Sequence, residues 1–518
     1  MTEPREIELK LALDPAHIPG LRERGLRRLG AGSSRPERLV STYYDTDTFA
    51  LRGKGLSLRV RRAGERRIQT VKAEGAPGAG YFDRSEWETE IEGDEPDLDA
   101  FPDTPFGKAV KPKRVRSRVR PIFTTEVERT TWLVEKPDHA VEVTLDHGTV
   151  QADGRSVPIA ELELELKRGR PDHLFDLARL LDRSSPLAIG VETKSARGYA
   201  LLNGAAEAVK AAPIELRRGM TAAEAFQVIA RSCLRHFRLN EPMLTAARTP
   251  AALHQARVAL RRLRSGLSLF GPVVSDPRLP GVKTGLRRIS AQLGEARNLD
   301  VFLGSLAAEA DRQPGGLGFA EFTAHVRQER EAAYDSVVAT LRSRRFRVFM
   351  LDLVAWIETG PWLAAEASAA VRESPIEDFA ADLLRRRRRK VRRKGRHLDR
   401  LDPPARHDVR IDAKKLRYAS EFFGSLAQDG KGRRRHKAFV SALEELQEHL
   451  GALNDAATGA DLSQKLLASF RDAQAGDVAA NVLSRDGPGR ASGADLDALV
   501  ARAVEAHAAF SDTKTFLR

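Results

Sequence analysis

The stretch Glu6-Ile7-Glu8-Leu9-Lys10 decides how the first two hundred residues are read. In a β-strand successive side chains point to opposite faces, so Glu6, Glu8 and Lys10 share one side and Ile7, Leu9 and Leu11 the other. One such strand is explained by a solvated outer face. A second stretch, Glu161-Leu162-Glu163-Leu164-Glu165-Leu166-Lys167, is written in the same alternation. If both strands line the inside of one barrel, their carboxylates converge on something cationic.

Other alternating stretches lie between them: 39–44, 56–62, 67–72, 84–92, 130–135 and 140–146. Turn residues such as Lys136-Pro137-Asp138-His139 and Ala152-Asp153-Gly154-Arg155 separate some of these. That makes about eight strands of antiparallel style, enough to close a barrel. Residues 15–30 read as a short helix and a turn, and 172–202 as helical, so this region is α+β.

Charged positions within the strands obey the two-residue period: Arg59 and Arg61 share a face, as do Arg84, Glu86 and Glu88. An interior carrying both signs holds a hard divalent cation on its carboxylates and phosphate oxygens on its Arg and Lys. Hydrolysis of a phosphoanhydride requires that pairing. His17, His139 and His147 read as surface residues near turns.

The Glu-x-Glu-x-Lys start, Tyr43-Tyr44-Asp45-Thr46, Leu56-Ser57-Leu58-Arg59-x-Arg61, the later Glu-x-Glu strand and Lys194-Ser195-Ala196-Arg197-Gly198-Tyr199 together resemble the CYTH, or triphosphate tunnel metalloenzyme, family over residues 1–205. The resemblance implies an eight-stranded antiparallel tunnel that binds a triphosphate with Mg²⁺ or Mn²⁺. Glu6, Glu8, Glu163 and Glu165 would be the metal and water carboxylates, with Asp146 a further acidic position. Lys10, Arg59, Arg61, Lys72, Arg129 and Lys194 would bind phosphate. Arg84 and Glu86 would face inward, while Arg116, Arg118 and Arg120 compete for another basic position.

Residues 206–217 suit a linker, and beyond it the strand signal gives way to helical periodicity. Helical stretches cover 221–239, 249–270, 283–303, 319–341, 346–357, 375–397, 405–426, 433–453 and 495–509. Ser374-Pro375-Ile376-Glu377 reads as a capping box with a first-turn proline. Residues 473–493, rich in Gly, Ala and Asp, read as a mobile excursion.

This half repeats itself: Leu253-His254-Gln255-Ala256-Arg257 through Arg264 matches Arg406-His407-Asp408-Val409-Arg410 through Arg417. Each copy is followed by a related segment read as a turn, Leu293 to Asn298 and Leu450 to Asp455. Two four-helix units explain the spacing.

His254, Arg257, Arg261 and Arg264 fall within about 80° of one helix face at about 100° per residue, and His407, Arg410, Lys414 and Arg417 repeat that face. A solvated face usually mixes in acids to relieve like-charge repulsion. These rows omit them, which favours an anionic ligand. With Arg262 and Lys415, the repeated pattern resembles the CHAD family over residues 218–518. That resemblance implies a helical bundle with a basic channel for inorganic polyphosphate. Asn298 departs from it where an Asp is usual, while Asp300 is retained. The run 385–396 adds ten Lys or Arg residues in twelve positions, explained equally by a solvated helix end or by polyanion contact.

Composition narrows the partners. The 518 residues carry a formal charge of +14, which suits an anion, but only 6% aromatics, which weighs against a base-stacking reader of single strands. A lone cysteine excludes an intrachain disulfide and a cysteine zinc cluster. No apolar run approaches the roughly 18 residues of a membrane span. The expectation is a cytoplasmic multidomain enzyme hydrolysing inorganic triphosphate, held at polyphosphate granules by its helical half, with neither membrane nor sequence-specific nucleic acid as partner. The alternatives are a polyphosphate-binding protein without turnover, an adenylate cyclase and a thiamine triphosphatase.

Overall fold

The computed structural model describes residues 5–29, 35–73, 78–204, 206–312, 319–473 and 493–517. The expected excursion at 473–493 falls almost wholly outside them. Two compact units form. One comprises Met1–Val209 with Leu234–Met243 and Leu341–Gly360, the other Lys210–Cys233, Leu244–Thr340 and Pro361–Arg518.

The first unit is built on β1 (Arg5–Ala12), β2 (Glu37–Asp45), β3 (Leu56–Ala63), β4 (Arg66–Ala73), β5 (Tyr81–Glu90), β6 (Arg120–Glu135), β7 (Ala140–Ala152) and β8 (Arg155–Arg168). Their order is β5-β4-β3-β2-β6-β7-β8-β1, and β1 also pairs with β5, which closes an eight-stranded antiparallel barrel. A two-residue strand, β9 (Ala188–Ile189), adds to β1. The β7–β8 hairpin turns at Asp153-Gly154, whose φ values of 47° and 70° are the left-handed pair that matches strand twist. Strand β6 is longer than its sequence pattern and includes Pro121 near its start.

One apolar cluster packs outside the barrel and a second lies on its inner face, beyond the charged positions. Outward residues of β3 and β4 (Leu56, Leu58, Val60, Val71) pack under the short helix Pro105–Val110, with Phe106 fully buried. Inward residues of β2, β6, β7 and β8 (Tyr43, Phe123, Val127, Val150, Ile159), on the same strand faces as Arg129, Asp146 and Glu161, surround Tyr199 of helix α2 (Lys194–Asn203). Helix α1 (Asp172–Asp182) brings Phe175 onto Tyr81 of β5.

The helical region runs α3 (Ala222–Ala247), α4 (Pro250–Leu269), α5 (Leu279–Arg312), α6 (Phe319–Arg342), α7 (Arg344–Thr359), α8 (Ile376–Lys394), α9 (Pro403–Phe422), α10 (Gly430–Ala473) and α11 (Gly493–Asp512). Helices α4 and α9 each have 20 residues, a proline in the first turn and a side-chain cap, from Thr249 and Asp402. Each precedes a long helix, so α3–α6 and α8–α11 form two four-helix copies. Asp352 of α7 pairs with Arg179 of α1 at 2.8 Å, and Arg347 with Asp182 at 3.0 Å.

Two expectations are corrected. The segments read as turns, Leu293–Asn298 and Leu450–Asp455, lie inside continuous helices α5 and α10, where a single Gly is tolerated within a strongly helical run. The capping box at Ser374 does not form. The Ser374 hydroxyl donates to the Val371 carbonyl instead, and Glu377 accepts from Arg218 and the Gly219 N–H. Among the described residues no single helix is long and apolar enough to cross a membrane.

Candidate functional site

Because β-strand side chains alternate, each apolar residue packed outside the barrel sends its neighbour inside. The interior cavity measures about 290 Å³ and is lined by seven carboxylates, eight cations and six hydroxyl side chains, with no aliphatic residue. Glu6, Glu8, Lys10, Arg59, Arg61, Lys72, Arg84, Glu86, Arg129, Glu163, Glu165 and Lys194 all reach it. Asp146 lies beneath the lining, fully buried.

Register explains the pattern. Across β7, β8 and β1, Glu142, Glu165 and Glu8 form one row, and Thr144, Glu163 and Lys10 the next; Asp146 and Glu161 pair one step further on. Deepest in the wall, Glu161 meets Lys10 at 3.1 Å, Arg197 at 3.2 Å and also Lys194. Glu163 meets Lys10, Lys194 at 3.1 Å and Arg129 at 3.3 Å. Arg129 grips Asp146 through Nε at 2.8 Å and Nη2 at 2.6 Å, with Lys194 at 2.6 Å. Burial alone would push the Asp146 carboxyl up, but Lys194 and Arg129 override it and hold it down to about 2. Burial likewise opposes the Lys10 ammonium, yet Glu161 and Glu163 keep it above the usual lysine range.

The opposite wall is organised by Arg84, which bonds Glu8 at 2.6 Å and Glu6 at 3.2 Å, and by Lys72, which meets Glu6 and Glu86 at 2.8 Å each. Arg59 stands 3.9 and 3.8 Å from Glu86 and Glu88. Arg61 has no carboxylate within ion-pair distance among the described residues, and its Nε is buried without a hydrogen bond. Burial, then Arg59 and Arg129, push this guanidinium down to about 9. The acidic row has the converse imbalance. Burial, together with Glu6 and Glu142, holds the Glu165 carboxyl above its ordinary range despite Lys167 at 2.6 Å.

Lys194 is placed from two sides. Thr193 caps α2 by accepting from Ala196 N at 3.1 Å. Asp45, at the end of β2, accepts from Tyr199 Oη at 2.7 Å and from the backbone N–H groups of Thr46, Leu51 and Arg52. The Tyr-Tyr-Asp-Thr motif is therefore an anchor for the lysine-bearing helix.

Three expected competitors do not reach the cavity. Arg116 pairs with Asp99, Arg120 pairs with Asp47, and Arg118 is exposed; Arg129 fills the basic position. Sequence reasoning assigned no role to Glu161, Glu142, Glu88 or Lys167, although all follow the same alternation as the residues it chose. His17 and His147 are exposed. His139 is half-buried, stacked on His173 at 4.2 Å with Asp138 between their nitrogens.

The donor set suits a hard cation, since every candidate ligand in the cavity is a carboxylate oxygen. Asp146, Glu161 and Glu163 bring oxygens within 4.8 Å of one another, though four cations share that group; Glu6, Glu8 and Glu165 are less fully compensated.

In the second unit, the row on α4 is only partly neutralised. His254 is exposed, and burial with Arg297, Arg261 and Arg257 pushes its imidazole below the ordinary range. Arg257 donates to the Leu293 and Gly294 carbonyls at 3.2 and 2.7 Å and is pushed down to about 10 by burial, Arg261 and Arg297. Arg261 donates to Tyr418 Oη at 2.6 Å, and Arg264 is exposed. Arg262 departs from the expected row. It is buried over the Phe422 ring, where a residue one step off the exposed face must point.

On α9, His407 hydrogen-bonds Asn454 at 2.6 Å, and Arg417 bonds Gln447 at 3.1 Å and pairs with Glu421. Arg410, Lys414 and Lys415 are half-buried. Asp300 clamps α5 to α6 by accepting from Arg330 at 2.7 Å and Tyr334 at 2.8 Å. The 385–396 run is partly tied down, since Lys390 and Lys394 each meet Asp412 at 3.0 Å.

A closed barrel whose cavity is lined wholly by polar side chains of both charges, followed by a helical repeat bearing basic rows, defines a two-module protein. Residues 4–199 match the CYTH domain and residues 228–464 the CHAD domain, and the chain carries both. It is 31% identical over 200 residues to an inorganic triphosphatase of Haemophilus influenzae, covering 38% of this chain and 55% of that protein. The chain thus spans about half the length of this curated relative.

Among solved structures, the CHAD domain from the plant Ricinus communis is 28% identical with a TM-score of 0.46, covering 57% of this chain and 96% of that one. HpAC1 from Hippeastrum, described as an adenylyl cyclase with a dominant triphosphatase activity, is 17% identical with a TM-score of 0.28, covering 38% and 95%.

Proposed function

We propose that the barrel hydrolyses inorganic triphosphate with Mg²⁺ or Mn²⁺, and that the basic rows of the helical unit hold inorganic polyphosphate in the cytoplasm. The observation that carries the first part is Arg61, a half-buried cation with no carboxylate in ion-pair reach among the described residues, standing with Arg59 and Arg129 in one cavity with an acidic row that has a surplus of its own. An anion and a cation bound together satisfy both imbalances.

Arg59, Arg61, Arg129, Lys72 and the two buried lysines, Lys10 and Lys194, would grip phosphate oxygens and offset charge leaving with the product. Glu6, Glu8, Glu163 and Glu165, with Asp146 behind them, would hold the divalent cation, which when bound neutralises substrate charge and orients water. The cavity is at the small end of ligand sites, roughly 300–1,000 Å³, and Tyr43 is its sole aromatic lining residue. A compact inorganic chain suits that lining better than a purine or thiazolium, which favours triphosphatase over cyclase or thiamine triphosphatase.

Phosphate release from tripolyphosphate, long-chain polyphosphate, ATP and thiamine triphosphate tests this. Tripolyphosphate is expected to be the best substrate, with release abolished by Glu163→Ala while polyphosphate binding persists. Release surviving both Glu6→Ala and Glu163→Ala would refute the barrel as the site. For the helical unit, polyphosphate is expected to displace duplex DNA at physiological salt; the reverse would refute the polyphosphate reading.

A further inference from the structure

We infer that Arg238, which lies beyond the residues matching the CYTH domain, is a positioning residue for the tunnel lysine Lys10, acting through the Ile189–Gly190 peptide. The inference rests on the proposed triphosphatase reading and extends its site to a residue on α3. The Leu234–Met243 part of α3 belongs to the barrel's own compact unit.

Arg238 Nε donates to the Ile189 carbonyl at 3.0 Å. At the other end of that peptide group, the Gly190 N–H donates to the Lys10 carbonyl at 2.9 Å. A peptide whose oxygen accepts a charged hydrogen bond is a stronger donor at its nitrogen, so the two bonds reinforce each other. The arrangement matters because β9 has only two residues and sits at the end of the sheet order, with few ladder bonds to hold it.

Close approach on both sides makes the position of Lys10 sensitive to this peptide. A Cβ on Gly190 would stand 3.0 Å from Lys10 Cγ, so glycine lets the chain lie directly against the lysine stem. On the other side the Lys10 N–H donates to the Gly80 carbonyl at 2.8 Å. Gly80 has φ +94°, and a Cβ there would meet Ile189 Cγ2 at 2.3 Å. Four residues after Ile189, Thr193 caps α2 and Lys194 begins it, so the same peptide leads into the second buried lysine.

The energetics favour orientation over stability. Arg238 pairs with Glu241, both nearly buried, and burial raises the Glu241 carboxyl. A buried ion pair is often no more stable than apolar residues of its size, so its retention needs another reason. The hydrogen bond to Ile189 supplies one.

Two variants of the full chain test the inference. Arg238→Lys keeps a charge opposite Glu241 but loses the Nε–H. Arg238→Leu with Glu241→Leu removes the pair without stranding a charge. Both are expected to melt close to the wild type and to exchange the Gly190 amide faster. The KM for tripolyphosphate should rise roughly tenfold, at the low end of effects from partners that orient first-contact residues, with a smaller change in kcat. Unchanged KM and unchanged Gly190 exchange in both variants would overturn the inference, as would a shift in melting temperature alone.

If the wild type releases no phosphate from tripolyphosphate, the proposed function fails separately. The positioning role is then read from Gly190 exchange and from tripolyphosphate affinity by calorimetry. Faster exchange with weaker affinity supports it, and wild-type values overturn it.

Discussion

Glu8 and Glu165 stand directly opposite one another on neighbouring strands, two carboxylates in register where a sheet ordinarily sets unlike charges. Glu142 flanks Glu165 on its other side. Like charges placed this way destabilise a sheet by roughly 0.2–1 kcal/mol. Glu165→Gln should therefore raise the melting temperature of protein kept in EDTA while cutting triphosphate hydrolysis on the order of 10²-fold, as removal of one preorganised electrostatic group does. EDTA alone should abolish hydrolysis. A lower melting temperature for this variant would show that the row is satisfied without a metal.

Arg61 and Arg129 offer a contrast between two cations of one cavity. Arg61 pairs with no acid among the described residues, so Arg61→Gln should leave stability intact or improve it. It should weaken triphosphate binding by about 1.5–3 kcal/mol, the worth of a charged hydrogen bond. Arg129→Ala leaves the fully buried Asp146 with Lys194 as its remaining close cation. Breaking a buried pair in that way costs about 3–5 kcal/mol. Urea titrations separate the two, and equal losses would contradict the assignment.

Gly198 of α2 lies against Phe123 of β6. A Cβ there would approach the ring carbons to between 2.3 and 2.5 Å. Gly198→Ala should cost about 1–3 kcal/mol by overpacking and lift the helix that carries Lys194, raising KM. Gly53→Ala, with nothing within 4 Å of the added carbon, should be neutral by both measures.

His254 supplies a pH test for the helical unit. Burial and the three neighbouring arginines hold its imidazole below the ordinary value of about 6.5. In the free protein the neutral ring is favoured, so its contribution to stability is present above that value and fades as pH falls below it. A polyanion on the row reverses the bias. Polyphosphate affinity should rise as pH falls from about 7 towards 5, and the His254 titration followed by NMR should move upward on binding. Both changes should vanish in His254→Gln. An unmoved titration would place the polyanion elsewhere.

Much of the barrel was legible because strand periodicity is strict: once Glu6, Glu8 and Lys10 share a face, so must Glu161, Glu163 and Glu165. What periodicity does not encode is depth. Glu161 lies beneath the cavity and Glu165 at its surface because of cross-strand register, which sets Glu161 against Asp146 and Glu165 against Glu142. The same limit hid Arg238, whose bond to Ile189 joins positions 49 residues apart. In the helical half the two basic rows were visible as spacing, but Arg262 was misplaced because a run of adjacent arginines does not say which one turns inward. The segments read as turns were misjudged for a related reason. Glycine and asparagine break a helix only when tertiary packing gives the chain somewhere else to go, and here α5 and α10 continue through them.

Where β3 and β4 wall the cavity, apolar side chains stand outside and polar groups within. Ligand preference and foldability are thereby written on opposite sides of the same strands. A lineage, or a designer, can exchange arginines for lysines or move a carboxylate along the bore without disturbing the layer that holds the wall upright. Such a wall is free to change the charges it presents while remaining one shape.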